Sequence, residues 1–218
     1  MGEFMADKRE IYEARKILSR QKLVEGGFKI FAEKTIDAVN LTEAAQASGV
    51  GMATVYRHFG TKTALVLEIG TWLWQRISEQ TQRIRENEGR TAIETYEYFL
   101  DVFIDLYRNH KDVLRFNHFF NVYVQREDVT AEQLEPYNEV IEQLARRFHR
   151  VYVKGCQDGT LRTDVREAEM FSSTLHLMLA SATRYAVGLI YDNGSDPERE
   201  LLLLKQMLLD HYRGQRAV

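Results

Sequence analysis

Apolar residues recur along this chain with the three-to-four-residue period of amphipathic helices, and no run shows the strict alternation of a half-buried strand. The pattern predicts a first helix over about 8–34, with Ile17, Leu23, Val24, Phe28, Ile30 and Phe31 supplying its apolar face near the end. Its first half, ADKREIYEARKILSRQ, is charged on most sides and is expected to project or fray. Short helices follow at about 41–48 and 52–59, then a longer one over about 62–85. The polar, glycine-bearing RENEGR at 85–90 is a candidate hinge. Later helices are expected near 91–109, 111–125, 130–157, 166–191 and 197–213. QDGT at 157–160 reads as a turn, and DNGSDP at 192–197 ends one helix while placing Pro197 in the first turn of the next. The expected architecture is all-α, about nine helices in two parts. An N-terminal three-helix helix-turn-helix domain precedes a C-terminal helical bundle.

Composition narrows this picture. Only two prolines, Pro136 and Pro197, occur in 218 residues, which favours long helices. The single cysteine, Cys156, excludes an intramolecular disulfide and suits a reducing compartment. No run of eighteen apolar residues offers a membrane span, and the expected location is cytoplasmic. MGEF before Met5 reads as a vector-derived leader with Met5 as the natural start, so 1–15 is taken as that remnant plus a helical extension. A first part is expected over 16–67 and a second over 68–218. Residues 1–62 hold ten Lys/Arg against eight Asp/Glu, the remainder nineteen against twenty-four. That mild asymmetry permits a local DNA-facing surface without demanding one.

The candidate chemistry sits in LTEAAQASGVGMATVYRHF, residues 41–59. Two short helices that cross steeply need small residues at the crossing, and Ala44 and Ala45 provide them. Gly49 tolerates the positive φ that the turn requires, and Val50 can plug the crossing. Val55 and Phe59, four apart, form an inward stripe. Ala53 with Arg57, Thr54 with His58, and Met52 with Tyr56 then occupy the other faces, where they can enter a major groove or touch its walls. Thr61 is placed to cap the next helix, whose first turn carries Lys62; free amides plus a lysine suit a phosphate. A helical hairpin in any bundle can carry alanines and a glycine turn. The full order favours a DNA reader: cap-like Thr42, paired alanines, Gly-Val, Thr-Val-Tyr, Phe59, Thr-Lys.

Residues 19–67 resemble the N-terminal domain of TetR-family transcriptional regulators, through GGFKIFAEKTIDAVNLTEAA and TVYRHFGTKTAL. The GCQDGTLRTDV junction at 155–165 is a weaker likeness. The resemblance implies that Thr42 reaches a base or phosphate, and that Met52, Ala53 and Thr54 sit where the recognition helix enters the groove. It also implies backbone-contacting roles for Tyr56 and His58 and a phosphate-binding role for Lys62. Three positions depart from the family pattern. Gly51 replaces a common capping Ser, Met52 a frequent Lys or polar residue, and Ala53 a common Gly. Base readout is therefore expected to lean on Arg57, Thr42 and apolar contact with thymine methyls.

The second part is dense in aromatics between 91 and 125. Tyr96, Phe99, Phe103 and Tyr107 share helical spacing, which serves a plain core as readily as an effector cavity. The candidate cavity residues are Trp72, Phe99, Phe103, Tyr107 and Phe116, together with Phe119, Phe120, Tyr123, His176 and Tyr185. Of Trp72 and Trp74, one is expected to pack inward. His118, His176 and Arg184, near Asn117 and Asn121, are polar ligand clues in apolar surroundings, and Arg184 is expected to pair across a dimer. The histidines form no metal-ligand spacing, and no cofactor is expected. The last two helices are too apolar for one face each. Leu201, Leu204 and Leu208 form one stripe with Leu202 and Leu209 left over, and this surplus predicts a two-fold dimer.

Together these readings lead to a ligand-responsive homodimeric repressor on a palindromic double-stranded operator, released by a small molecule in the C-terminal part. A helical adaptor without DNA binding is the alternative that Gly51, Met52 and Ala53 favour. An all-α enzyme has little support, because Cys156 lacks a neighbouring His and Asp101 and Asp105 resemble a solvated face.

Overall fold

The structure, a computed structural model, describes residues 2–82, 89–189, 194 and 196–214, with the side chains of 2–8 and 80–82 left out. Among these residues the elements are helices α1 (Gly2–Lys34), α2 (Leu41–Ala47), α3 (Met52–His58), α4 (Lys62–Gln82), α5 (Ala92–Asn109), α6 (Lys111–Arg126), α7 (Ala131–Asp158), α8 (Glu167–Val187) and α9 (Pro197–Tyr212). The one extended contact is an isolated bridge between Leu161 and Arg213. Most ends agree with the expected ones to within two residues. α8 ends before the expected 191 because Gly188, at φ 114°, turns the backbone where a side chain is rarely tolerated. α1 begins at Gly2 rather than near 8, so the helix continues through the expected leader. The expected hinge lies outside the described residues except for Gly89 and Arg90.

The chain divides into two compact units. One comprises Met1–Trp72 with Phe119–Tyr137, the other Leu73–His118 with Asn138–Val218. The first therefore takes in α1 to α3, the first half of α4 and the second half of α6. It extends five residues past the expected 67 and borrows a later segment that the sequence does not mark. Its interior is Leu23, Phe31, Ile36, Val39, Val55, Leu65, Val66 and Ile69, all essentially sealed from solvent. Ile17, expected to extend the apolar face of α1, is 67% exposed instead. It lies on the part of α1 where residues 9–18 are all exposed.

In the second unit, Tyr96, Leu100, Ile104, Phe116, Phe148, Met170, Met178 and Leu201 form the core. The turn after α7 closes onto the start of α5. Asp158 accepts from the Ala92 N–H at 2.7 Å, and Thr160 Oγ1 accepts from the Ile93 N–H at 3.1 Å. Thr91 and Glu94 complete a capping box there. The 157–160 turn thus supplies two acceptors for free helix amides. Lys205 on α9 pairs with Glu97 at 2.9 Å and Asp101 at 2.6 Å on α5, so Asp101 belongs to an ion cluster and not to an idle solvated face.

Candidate nucleic-acid interface and effector cavity

The helix-turn-helix is assembled as its residues require. α2 begins with a capping box of Asn40 and Glu43, so Asn40 is the cap and Thr42 lies exposed within the first turn. Ala44 and Ala45 are buried at the crossing. Gly49 turns the chain at φ 64°, and the Val50 N–H returns to the Ala45 carbonyl at 3.1 Å. Gly51 caps α3 in an extended conformation with no side-chain bond. Val55 is fully buried. Phe59, the other expected inward residue, is half-buried beneath the Arg20 guanidinium, 4.9 Å from its ring centroid. Arg20 in turn reaches Glu68 on α4 at 2.9 Å.

With Val55 inward, the opposite side of α3 faces solvent. Ala53, Tyr56 and Arg57 are exposed, while Met52, Thr54 and His58 are partly covered. Arg57 Nη2 donates to Thr54 Oγ1 at 3.3 Å, one turn away, which tethers the guanidinium along the helix surface. His58 differs from its neighbours. Its Nε2 lies 2.7 Å from Ser19 Oγ, whose own proton goes to the Lys16 carbonyl, so the imidazole is the donor. Burial first, then the charges of Arg57, Arg20 and Lys16, hold the imidazole below its usual pKa. His58 therefore ties α3 to α1 through one ring nitrogen.

At the start of α4, the Ala64 N–H donates to Thr61 Oγ1 at 3.1 Å, as a cap should. Lys62 Nζ lies 5.6 Å from the Tyr123 ring centroid, and burial holds its pKa below the usual lysine value. Tyr123 also bonds Thr63 Oγ1 through its hydroxyl at 2.9 Å. A half-covered ammonium beside free helix amides is suited to an oxyanion that completes its solvation.

The second unit holds a cavity bounded by α4, α5, α7 and α8, with about 500 Å³ of space between its walls including the open mouth. Phe99 and Phe103 line it, as expected. Trp74, and not Trp72, is the tryptophan that joins them, with Ile77, Leu144, Phe148 and Phe171. The remaining expected lining residues are not in the wall of this cavity. Trp72 packs edge-on against Phe28 at 6.0 Å. Tyr107 packs against Tyr185, whose hydroxyl donates to Glu200; that bond raises the Tyr185 pKa to about 12. Phe116 is core. Phe120 sits on Gly70 and Tyr137, Tyr123 on Thr63, and Phe119 falls in the first unit. His118, His176 and Asn121 are exposed and Asn117 is buried, and none reaches the cavity. Aromatic density in the sequence could not separate ring packing from cavity lining. The stripe Val140, Leu144, Phe148, Val151 on α7 was legible in principle, though Phe148 lies in the charged run RRFHR.

The cavity wall is almost free of unsatisfied polarity. Its one hydroxyl, Thr174 Oγ1, donates to the Met170 carbonyl at 2.6 Å and accepts from Tyr96 at 2.7 Å. On the far helices, exposed apolar residues form continuous stripes. Leu177, Ala180 and Val187 lie along α8 with the exposed Arg184 among them, and Leu202, Leu203 and Met207 along α9. The leftover residues on α9 are therefore Leu202, Leu203 and Met207, whereas Leu209 is buried. Among the described residues no group of His, Cys, Asp and Glu could hold a metal ion, and no helix is long and apolar enough to cross a membrane.

Residues 23–69 match the family model for bacterial regulatory proteins of the tetR family. No curated protein matches the chain in sequence. Solved structures share the fold across nearly the whole chain. A tetR-family regulatory protein from Rhodococcus RHA1 has TM-score 0.70 at 15% identity, covering 90% of this chain and 98% of that one. The fatty acid degradation regulator FadR of Bacillus halodurans has 0.66 at 16%, covering 87% and 94%. The ketosteroid transcriptional regulator KstR2 of Mycobacterium tuberculosis has 0.64 at 14%, covering 90% and 95%.

Proposed function

We propose that this chain, placed by residues 23–69 among the bacterial regulatory proteins of the tetR family, is a homodimeric repressor that an apolar small molecule releases from a palindromic operator. Members of that family are DNA-binding regulators and not enzymes, so the chain is a transcriptional regulator. The observation that carries the finer reading is the layout of α4. Lys62 stands at its first residue, while Trp74 and Ile77 on the same helix line the cavity. Trp74 is the twelfth residue after Lys62 along α4. A ligand that displaces the Trp74 end therefore acts on the rod that carries the phosphate lysine. The ligand shifts the population only by its differential affinity for the two states.

In this scheme Thr42, Met52, Ala53, Thr54 and Arg57 face bases, and Tyr56, His58 and Lys62 face the phosphate backbone. Residues 16–67 form the reading domain, onto which 119–137 pack, and the rest of 68–218 senses ligand and dimerises. Because Thr174 is already satisfied on both sides, the cavity rewards hydrocarbon surface and not hydrogen bonding. Two fold relatives are named for fatty acid degradation and for ketosteroid, compounds with that kind of surface. The exposed stripes of α8 and α9 pair two copies, with Arg184 inside the contact.

Mobility-shift assays on a duplex selected from a random pool test the reading. Arg57→Ala should lose about 1–3 kcal/mol of discrimination at one base pair, while Lys62→Ala weakens all sequences alike and lowers the salt slope by about one unit. An acyl or sterol compound should release the complex and quench Trp74 fluorescence. Failure of the wild type to bind any selected duplex favours the adaptor. Binding of the compound without any change in DNA affinity refutes the release mechanism.

A further inference from the structure

Residues 9–18 of α1 are exposed on every side although they continue the helix that supports the DNA-reading element. Helical spacing shows which side matters. Two residues of α1 mark the ridge that runs along the helix-turn-helix. Gly26 lies so close to Ser48, at the end of α2, that a Cβ there would meet its backbone. Ser19 accepts from His58, the last residue of α3. At 100° per residue the same ridge continues toward the N-terminus as Lys16 and Arg15 one turn on, Tyr12 two turns on, and Arg9 at its flank. Ser19 Oγ donates to the Lys16 carbonyl at 2.9 Å while holding His58 at 2.7 Å, which places that turn beside the end of the recognition helix. Glu10 falls on the opposite side, with Ile17.

The segment 9–22 carries five bases and two acids in a chain whose net charge is −3. Arg20 pairs with Glu68, whereas Arg9, Arg15 and Lys16 lie along or beside the ridge that leaves the reading element, where among the described residues their one ion-pair partner is Glu13, 3.7 Å from Lys16. An exposed pair at that distance contributes little.

We propose that this projecting turn of α1 is a second DNA contact, with Arg9, Tyr12, Arg15 and Lys16 gripping the phosphate backbone beside the operator half-site. It rests on the DNA-binding assignment above. The ten helical steps from Ser19 to Arg9 span about 15 Å. At one phosphate per 3.4 Å of duplex axis on each strand, that length passes about four phosphates. Such contacts are blind to sequence and add affinity and salt dependence instead.

The test is fluorescence anisotropy of a labelled 40-base-pair duplex of random sequence, titrated at several salt concentrations. Arg15→Gln combined with Lys16→Gln should reduce the slope of log affinity against log salt by about 1.8, near 0.9 for each phosphate. The wild-type advantage should then shrink about twelvefold between 50 and 200 mM salt. Glu10→Gln, on the opposite side, should leave the slope unchanged, which separates a contact from a net-charge effect. Circular dichroism should be unaltered in all variants because these side chains are exposed. Wild-type protein that binds no duplex overturns the DNA-binding assignment itself. Wild-type binding with an unchanged slope in the double variant overturns this inference alone. A double variant that changes sedimentation but not slope assigns the segment to a protein partner and also overturns it.

Discussion

Substituting Gly26 by Ala isolates the contact that seats α1 on the helix-turn-helix. A Cβ on Gly26 would lie 2.5 Å from Ser48 Oγ, 2.6 Å from Ser48 Cα and 2.9 Å from Ser48 Cβ. The Cα belongs to the C-cap of α2, whose N–H bonds the carbonyls of Ala44 and Ala45, so it cannot swing aside. Restoring an ordinary carbon–carbon contact requires α1 and α2 to separate by about 1 Å. Alanine in a helix interior gains about 1 kcal/mol over glycine, while overpacking costs about 1–3 kcal/mol and more where backbone must move. The net expectation is a loss of about 1–2 kcal/mol. Gly27 is the matched comparison. A Cβ there meets the tips of Ile69 at 3.0 Å and Leu65 at 3.5 Å, which can yield, so Gly27→Ala should be neutral or slightly stabilising. Urea unfolding followed by circular dichroism measures both. Equal stabilities for the two variants would refute the reasoning, because their helix propensity gains are the same.

Gly51→Ser should stabilise α3 by a few tenths of a kcal/mol, since the cap position is already extended and lacks only a side-chain acceptor; thermal melts read the change. Leu203→Asp with Met207→Asp places two carboxylates on the exposed stripe of α9 and should convert a dimer to monomer in sedimentation at micromolar concentration. If the wild type is itself monomeric there, the pairing through α8 and α9 is wrong. The fold keeps the His58 pKa depressed, so the unfolded chain takes up the proton first as pH falls through about 6.5. Stability is therefore complete above that value and declines as pH falls toward the lower folded one. His58→Gln, which retains a donor for Ser19, should flatten this decline, and an unaltered pH profile would show that the ring is not responsible.

The helix-turn-helix was legible because its requirements are local. Gly49 is placed by its φ, Ala44 and Ala45 by the crossing, Val55 by period, and Lys62 by its position behind Thr61. Each of these follows from a few neighbouring residues. The start of α2 at residue 41 agrees with the expected one, but the cap-like role falls on a different polar residue. Asn40, and not Thr42, had Glu43 three residues behind it to close the box. The contact that holds the His58 ring comes from Ser19, 39 positions earlier. No local pattern carries that separation.

The cavity was less legible for a related reason. An aromatic at helical spacing buries the same area whether it meets another ring or an empty space, so Phe99 and Tyr107 looked equivalent. They part only because α7 and α8 bring Phe148 and Phe171 to one and Tyr185 to the other. Taken by itself, the order of residues determined the nine helical segments found among the described residues, most of their ends, and the turn of the helix-turn-helix, because caps, breakers and period act over a few residues. Tertiary structure decided which tryptophan faces a cavity, which leucines of α9 stay uncovered, and that residues 119–137 pack with the reading domain. Those outcomes depend on distances between segments far apart in the chain, and short-range propensities carry no record of such distances.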